Sequence, residues 1–218
     1  MFDGEIGALK QTAMLGGMIC GARDSEGWAA RRERVDFFDL KGDVERLLAI
    51  GGAFDEWRFE PGEHDVLHPG QSARIMRGDH CVGWLGALHP AVREKLGIKP
   101  EVYVFQLELK ALQQGRLAAF NPLSRHPEVR RDLALIVEES LAVQTLLDVI
   151  REQAGDALTD LRLFDVYQGA GVEDGYKSLA LGLTWQHPSR TLTDVEISEI
   201  VDGIVAVSSE RFGAKLRG

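Results

Sequence analysis

Two spacings of apolar residues alternate along the chain. In Val35–Ile50 (VDFFDLKGDVERLLAI) the apolar positions Phe37, Leu40, Val44, Leu47 and Leu48 fall on one helical face, and Gly51-Gly52 supplies a stop. Ahead of this helix, Ala13–Ala22 (AMLGGMICGA) is apolar, glycine-rich and strand-like, and Ala29–Arg34 is a charged connection. Short strands are predicted at Glu56–Phe59, Ala73–Met76 and Cys81–Leu88, with Arg77-Gly78-Asp79-His80 as a hairpin turn between the last two. Pro90–Leu96 reads as a short helix with proline in its first turn, and Val102–Leu109 alternates as a strand.

The stretch Gln113–Pro127 carries two prolines and breaks the pattern. The domain boundary is placed there, near Asn121–Ser124, separating residues 1–121 from 122–218. Beyond it the predicted order is strand (Asp132–Val137), helix (Ala142–Gln153, Ser140 as cap, Gly155 past its end) and strand (Leu158–Tyr167). A glycine-rich loop, Gln168–Tyr176, follows. Lys177–Gln186 then alternates strictly, with Leu179, Leu181, Leu183 and Trp185 inward and Ser178, Ala180, Gly182 and Thr184 outward. Thr193 and Glu196 form a capping box at the start of a helix from Asp194 to about Ser208, and Phe212–Arg217 closes as a strand. The fold class is α+β: an antiparallel sheet with helices, then a β-α-β-β-α-β unit in the ferredoxin-like order.

Composition narrows the classes. With 44% hydrophobic and 27% charged residues among 218, the chain can build packed cores. No apolar run reaches the ~18 residues that span a bilayer, and Asp3 and Glu5 stand where a signal peptide is basic. Two cysteines, Cys20 and Cys81, in apolar stretches suit a reduced cytoplasmic protein. A net charge of -9 argues against general polyanion binding, so any nucleic-acid contact must be local.

Chemistry-bearing patterns are few. Gly169–Ser178 (GAGVEDGYKS) fails as a phosphate loop, because Tyr176 separates Gly175 from Lys177 and a strand follows where a helix should start. His64, His68, His80 and His89 near Cys81 lack the paired short spacing of a metal site, so no metal is expected and His68-Pro69 and His89-Pro90 are read as turns. Asp36, Asp39, Asp43 and Glu45 share their helix with Lys41 and Arg46 and read as a solvated face. No Gly-x-Ser-x-Gly elbow and no nucleophile with a base emerges. Arg125, His126, Arg130 and Arg131 differ: they gather cations in a segment that from Ser124 onward has ten Lys and Arg in all against sixteen Asp and Glu. Gripping RNA phosphates and salt-bridging to their own domain are equal alternatives for them. Lys177 and Arg190 would extend the patch. The outward sheet face would accept unstacked bases, with Tyr167 at a strand end favoured over Phe164 as the stacking ring.

The string Leu163–Leu181 (LFDVYQGAGVEDGYKSLAL) resembles the signature of the ferredoxin-fold anticodon-binding domain that closes the β subunit of bacterial phenylalanyl-tRNA synthetases. Ser124–Val137 (SRHPEVRRDLALIV), Ser189–Asp194 (SRTLTD) and Arg211–Arg217 (RFGAKLR) match the same domain in order and spacing. Val35–Glu45, Leu67–Ala73 (LHPGQSA) and Val82–Pro90 (VGWLGALHP) resemble the second half of that subunit's catalytic-like, class II core-like module, which has lost its active site. The resemblance implies a fragment of a longer β subunit that binds the tRNA(Phe) anticodon stem-loop and scaffolds a catalytic α subunit in an α2β2 heterotetramer. It places ATP and magnesium in the full enzyme, no catalytic residue and no cofactor in this segment, and no membrane or DNA partner. Absent sheet elements would leave apolar surface open, with Phe37, Phe38, Leu40 and the Ala13–Ala22 strand as candidates. A stand-alone amino-acid-sensing module or a purely structural interaction module are the alternatives.

Overall fold

The computed structural model describes residues 11–29, 32–52, 56–116 and 123–217. By its internal contacts the chain divides into two compact units, Met1–Phe120 and Asn121–Gly218. The expected boundary at Asn121-Pro122 itself lies outside the described residues.

In the first unit, β1 (Met14–Cys20), α1 (Phe37–Ala49), β2 (Trp57–Pro61), β3 (Leu67–Arg77), β4 (His80–Leu88), α2 (Pro90–Lys95), β5 (Val102–Glu108) and α3 (Leu109–Gln113) follow one another. The five strands form one antiparallel sheet in the order β1-β5-β4-β3-β2. The helical spacing places Leu40, Val44 and Leu48 against Ile75, Leu85, Tyr103 and Leu107, so α1 covers one sheet face. Asp36 starts the helix: its carboxylate accepts from the Phe38 and Asp39 N–H groups at 2.8 and 3.0 Å, and the Asp39 carboxylate accepts from the Asp36 N–H at 2.8 Å. The β3–β4 turn has Gly78 at φ +57°, the left-handed region that glycine tolerates.

Several expectations change here. His68-Pro69 is not a turn. It lies in β3, where the pairing with β4 slips between Leu67 and Ser72, and such an irregularity admits a proline. His89 caps α2 by accepting from the Ala91 N–H at 3.1 Å. Leu40 is buried and Phe37 packs on the core, so of the candidate surface residues on α1 only Phe38 is exposed. Cys20 and Cys81 are both exposed, because each falls on an outward or strand-end position. The short helix α3 had no signal beyond a five-residue apolar–polar mix.

In the second unit, β6 (Val129–Glu138), α4 (Val143–Ala154), β7 (Leu158–Tyr167), β8 (Tyr176–Trp185), α5 (Asp194–Phe212) and β9 (Lys215–Leu216) give an antiparallel sheet ordered β7-β8-β6-β9. This is the ferredoxin-like arrangement. Leu133, Leu135, Val137, Leu179, Leu181, Leu183 and Trp185 face α4 and α5, whose Leu146, Ile150, Ile197 and Ile204 complete a fully buried core. The Trp185 indole N–H donates to the Ala154 carbonyl at 3.3 Å, giving a buried donor its acceptor.

Ser140 does not cap α4; Ala142 holds that position without a side-chain bond, and the Ser140 hydroxyl sits 3.5 Å from the Glu138 carboxylate instead. The closing strand shrinks to Lys215–Leu216, because α5 continues through Phe212, whose ring packs on the core, and ends only at Gly213, φ +64°. The Thr193 box is present: Thr193 Oγ1 accepts from the Glu196 N–H at 3.3 Å and the Glu196 carboxylate accepts from the Thr193 N–H at 2.9 Å.

Candidate nucleic-acid interface

Helices cover one face of the second unit's sheet, and strand pairing lays out the other. Across β7 and β8 the open-face rows are Asp160↔Thr184, Arg162↔Gly182, Asp165↔Ala180 and Tyr167↔Ser178. The β6 partners in the same rows are Arg130, Asp132, Ala134 and Ile136. Two register slips in β7, at Thr159 and Phe164, make this parity possible. They let Leu158, Leu161, Leu163 and Val166 all oppose the buried residues of β8. Tyr167 is therefore on the open face, while Phe164 is the bulged residue and half-exposed.

The expected cations do not form one patch. Arg130 and Arg131 are adjacent in an extended strand and point to opposite faces. Arg130 lies on the open face and donates to Asp132 at 3.0 Å, whereas Arg131 reaches Asp194 at the start of α5 at 2.6 Å. Arg190 grips Glu196 at 2.7 Å beside the same helix start. Together with Thr193 it holds the Glu196 carboxyl down to about 2. Lys177 pairs with Val137 on the covered side and donates to the carbonyls of Glu139 and Leu141, both at 2.7 Å. Burial lowers its pKa, Glu139 opposing, so it acts as a clamp on the β6–α4 turn. His126 is fastened by its backbone: its N–H donates to Ser124 Oγ at 3.1 Å and its carbonyl accepts from Gln186 at 2.8 Å. Arg125 is exposed and makes no ion pair within the described residues. Of the seven expected residues, Tyr167 and Arg130 share the open face, Arg125 and His126 lie in the entry segment, and Arg131, Lys177 and Arg190 are bound to their own domain.

The outward pattern of β8 holds, with a qualification at two positions. Ser178 is only 3% exposed and Gly182 is buried, because neighbouring side chains lie over them. The Arg130 and Asp132 side chains approach Gly182, and Arg217 donates to the Ser178 hydroxyl at 3.3 Å.

Residues 2–109 match the family model of the phenylalanyl-tRNA synthetase β-chain CLM domain, and residues 124–217 match the ferredoxin-fold anticodon-binding domain. The chain belongs to the phenylalanyl-tRNA synthetase β-chain family. Its relatives include the phenylalanine–tRNA ligase β subunits of Pseudomonas fluorescens, 55% identical over 99% of this chain, and Methylococcus capsulatus, 48% identical over 97%. That of Nitrosococcus oceani is 42% identical over 99%. The chain spans about a quarter of these relatives' length, 27% of the Pseudomonas protein.

Within this synthetase family member, the sequence reading missed two residues of the open face. Lys215 lies over the Tyr176 ring, 5.9 Å from its centroid, and Arg217 lies over the Tyr167 ring at 5.1 Å. The signal was present in the alternation of Lys215, Leu216 and Arg217, but a strand drawn from Phe212 onward hid it. Arg162, also exposed and without an ion pair among the described residues, is a further open-face cation. Among the described residues no group of three or more His, Cys, Asp or Glu gathers as a metal site, and no helix is long and apolar enough to cross a membrane.

Proposed function

We propose that this chain works as part of a phenylalanine–tRNA ligase β subunit in the cytoplasm, its second unit holding the anticodon stem-loop of tRNA(Phe). Its first unit scaffolds the catalytic α subunit of an α2β2 enzyme. ATP and magnesium serve the aminoacylation chemistry at α, and no catalytic step falls to residues of this chain.

The observation that carries the reading is the open sheet face of the second unit. Tyr167 and Tyr176 stand on it among small residues, Ser178, Ala180 and Ala134, with Arg217, Lys215, Arg130 and Arg162 around them. Aromatic rings on an uncovered four-stranded face stack unpaired bases, and cations on that face such as Arg130 and Arg162 meet phosphates. Asp132, Asp160 and Asp165 interrupt the positive charge, which fits a site that reads a short loop and rejects general polyanions.

The test is binding of a hairpin carrying the tRNA(Phe) anticodon loop, with a scrambled loop as control. Wild type is expected to prefer the cognate loop, weakly and in a salt-dependent way. Tyr167→Ala is expected to cost ~1–3 kcal/mol, the worth of one stacked base. Arg125→Ala with Arg131→Ala should weaken both hairpins alike, mainly through Arg125, since Arg131 is engaged by Asp194. Equal or absent binding of the two hairpins would overturn the reading, and calorimetric binding of free phenylalanine in its place would favour the amino-acid sensor.

A further inference from the structure

The side chain of Arg217, just beyond β9, reaches into the middle of the open face. β9 is only two residues long, paired to β6 through Leu135↔Leu216 and Ile136↔Lys215. The next backbone N–H, of Arg217, donates to the Ala134 carbonyl at 2.9 Å. β9 and β7 are opposite edges of the sheet, yet the Arg217 side chain spans the gap from its edge across β6. Its Nη1 donates to Ser178 on β8 at 3.3 Å, and its guanidinium lies over the ring of Tyr167 on β7. Ala134 and Ala180, facing the same side, carry only methyl groups and leave this path clear. At its other end the Tyr167 ring is tied down as well: the phenol O–H donates to the Ala170 carbonyl at 3.1 Å.

We propose that Arg217 is a positioning residue for base recognition. Its guanidinium occupies one face of Tyr167 and fixes the ring so that the opposite face receives an unstacked nucleobase. The inference rests on the RNA role of this face set out above. A guanidinium on a phenol ring is held by the ring's quadrupole, and Arg217 is oriented beforehand by its backbone bond and by Ser178. A ring immobilised before binding loses less freedom when a base stacks on it. The consequence is specific: Arg217 acts through Tyr167 rather than through a phosphate, so its effect must vanish when the ring is gone.

The experiment uses the whole 218-residue chain and the cognate anticodon hairpin, with a double-mutant cycle over Arg217→Ala and Tyr167→Ala, and Arg217→Lys as the conservative variant. Arg217→Ala is expected to weaken binding roughly two- to fivefold, as loss of an exposed cation–π contact implies. The factor should be the same at low and high salt, absent in the Tyr167→Ala background, and largely restored by lysine. In the free protein the Tyr167 ring resonances should shift in Arg217→Ala and return toward wild type in Arg217→Lys. Two results overturn the proposal: a loss that persists without Tyr167 and lowers the salt slope, which makes Arg217 a phosphate contact, or shifted ring resonances with unchanged affinity. If wild type binds neither cognate nor scrambled hairpin, the RNA reading itself falls, and this inference with it.

Discussion

The two units treat the borders of their sheets differently. In the second, one edge strand, β7, is interrupted by two bulges and carries Asp160, Arg162 and Asp165, while the other, β9, has two residues. Both devices discourage pairing with another chain. In the first, β1 is the outermost strand of the described sheet on one side, seven residues long (MLGGMIC) without a charge or a proline. Its Met14 and Met18 are exposed, Met18 at 68%. The opposite border, β2, is blunted by Arg58, Glu60 and Pro61. The second unit thus protects its edges and concentrates chemistry on an open polar face. The first keeps one border suited to association, which is what the scaffolding role proposed for it would use.

The contrast first requires that the units be energetically separate. Trp185→Ala removes the largest fully buried side chain of the second core and the donor to Ala154. It is expected to cost ~3–5 kcal/mol. Leu85→Ala in the first core is expected to cost ~2–5 kcal/mol. Urea unfolding followed by amide exchange should show each variant losing protection in its own unit alone. A loss of protection in both units from either change would make them one cooperative body and remove the basis of the comparison.

The periodic parts of both units were readable because burial enforces them. The 3.6-residue spacing of Leu40, Val44 and Leu48 and the strict alternation of Leu179–Trp185 each reproduce a buried face. What escaped was set by tertiary contact. No local pattern says that β7 slips at Thr159 and Phe164, yet those slips decide which aromatic faces outward. The cationic cluster at Arg125–Arg131 was real in sequence, but strand pleating splits Arg130 from Arg131 and Asp194 on α5 claims the latter. Arg217 was named only as part of a motif, because its role depends on a ring about fifty positions away in sequence, brought near by the β7-β8-β6-β9 order.

The next effect in size concerns helix starts. Thr193→Ala is expected to cost about 1 kcal/mol, because the Glu196 N–H loses its acceptor, while Ser140→Ala is expected to be near neutral, since Ser140 caps nothing. Smaller still is the border effect. If β1 pairs chains edge to edge, Met18→Lys should weaken self-association roughly two- to fivefold, by setting like charges across the new ladder. Sedimentation at rising concentration reads this directly. A wild-type chain that stays monomeric throughout would mean that β1 is protected in some other way and that the contrast between the borders fails.

The smallest effect sharpens the comparison at one shared feature, an acidic capping box clamped by arginine. In the first unit Arg23 bonds Asp36 and Asp39; in the second Arg190 bonds Glu196. Asp39 is raised by burial, but the Asp36 N–H and Arg23 outweigh this and leave its pKa lowered from 3.8. Arg190, then Thr193, lower Glu196 from 4.5 to about 2. A depressed carboxyl stabilises the fold fully above its unfolded pKa and loses that contribution as pH falls through the folded one. The second unit should therefore weaken between pH 4.5 and about 2, and Glu196→Gln should flatten that decline while lowering stability at neutral pH. The first unit should weaken below pH 3.8, and Asp39→Asn should flatten its curve alone. Both groups are largely solvent-screened, so the slopes will be shallow, and thermal unfolding across the acid range, with Trp57 and Trp84 reporting on the first unit and Trp185 on the second, can resolve them. If Glu196→Gln leaves the acid slope of the second unit unchanged, the Arg190 clamp contributes nothing to folding, and Arg190 becomes available to RNA after all.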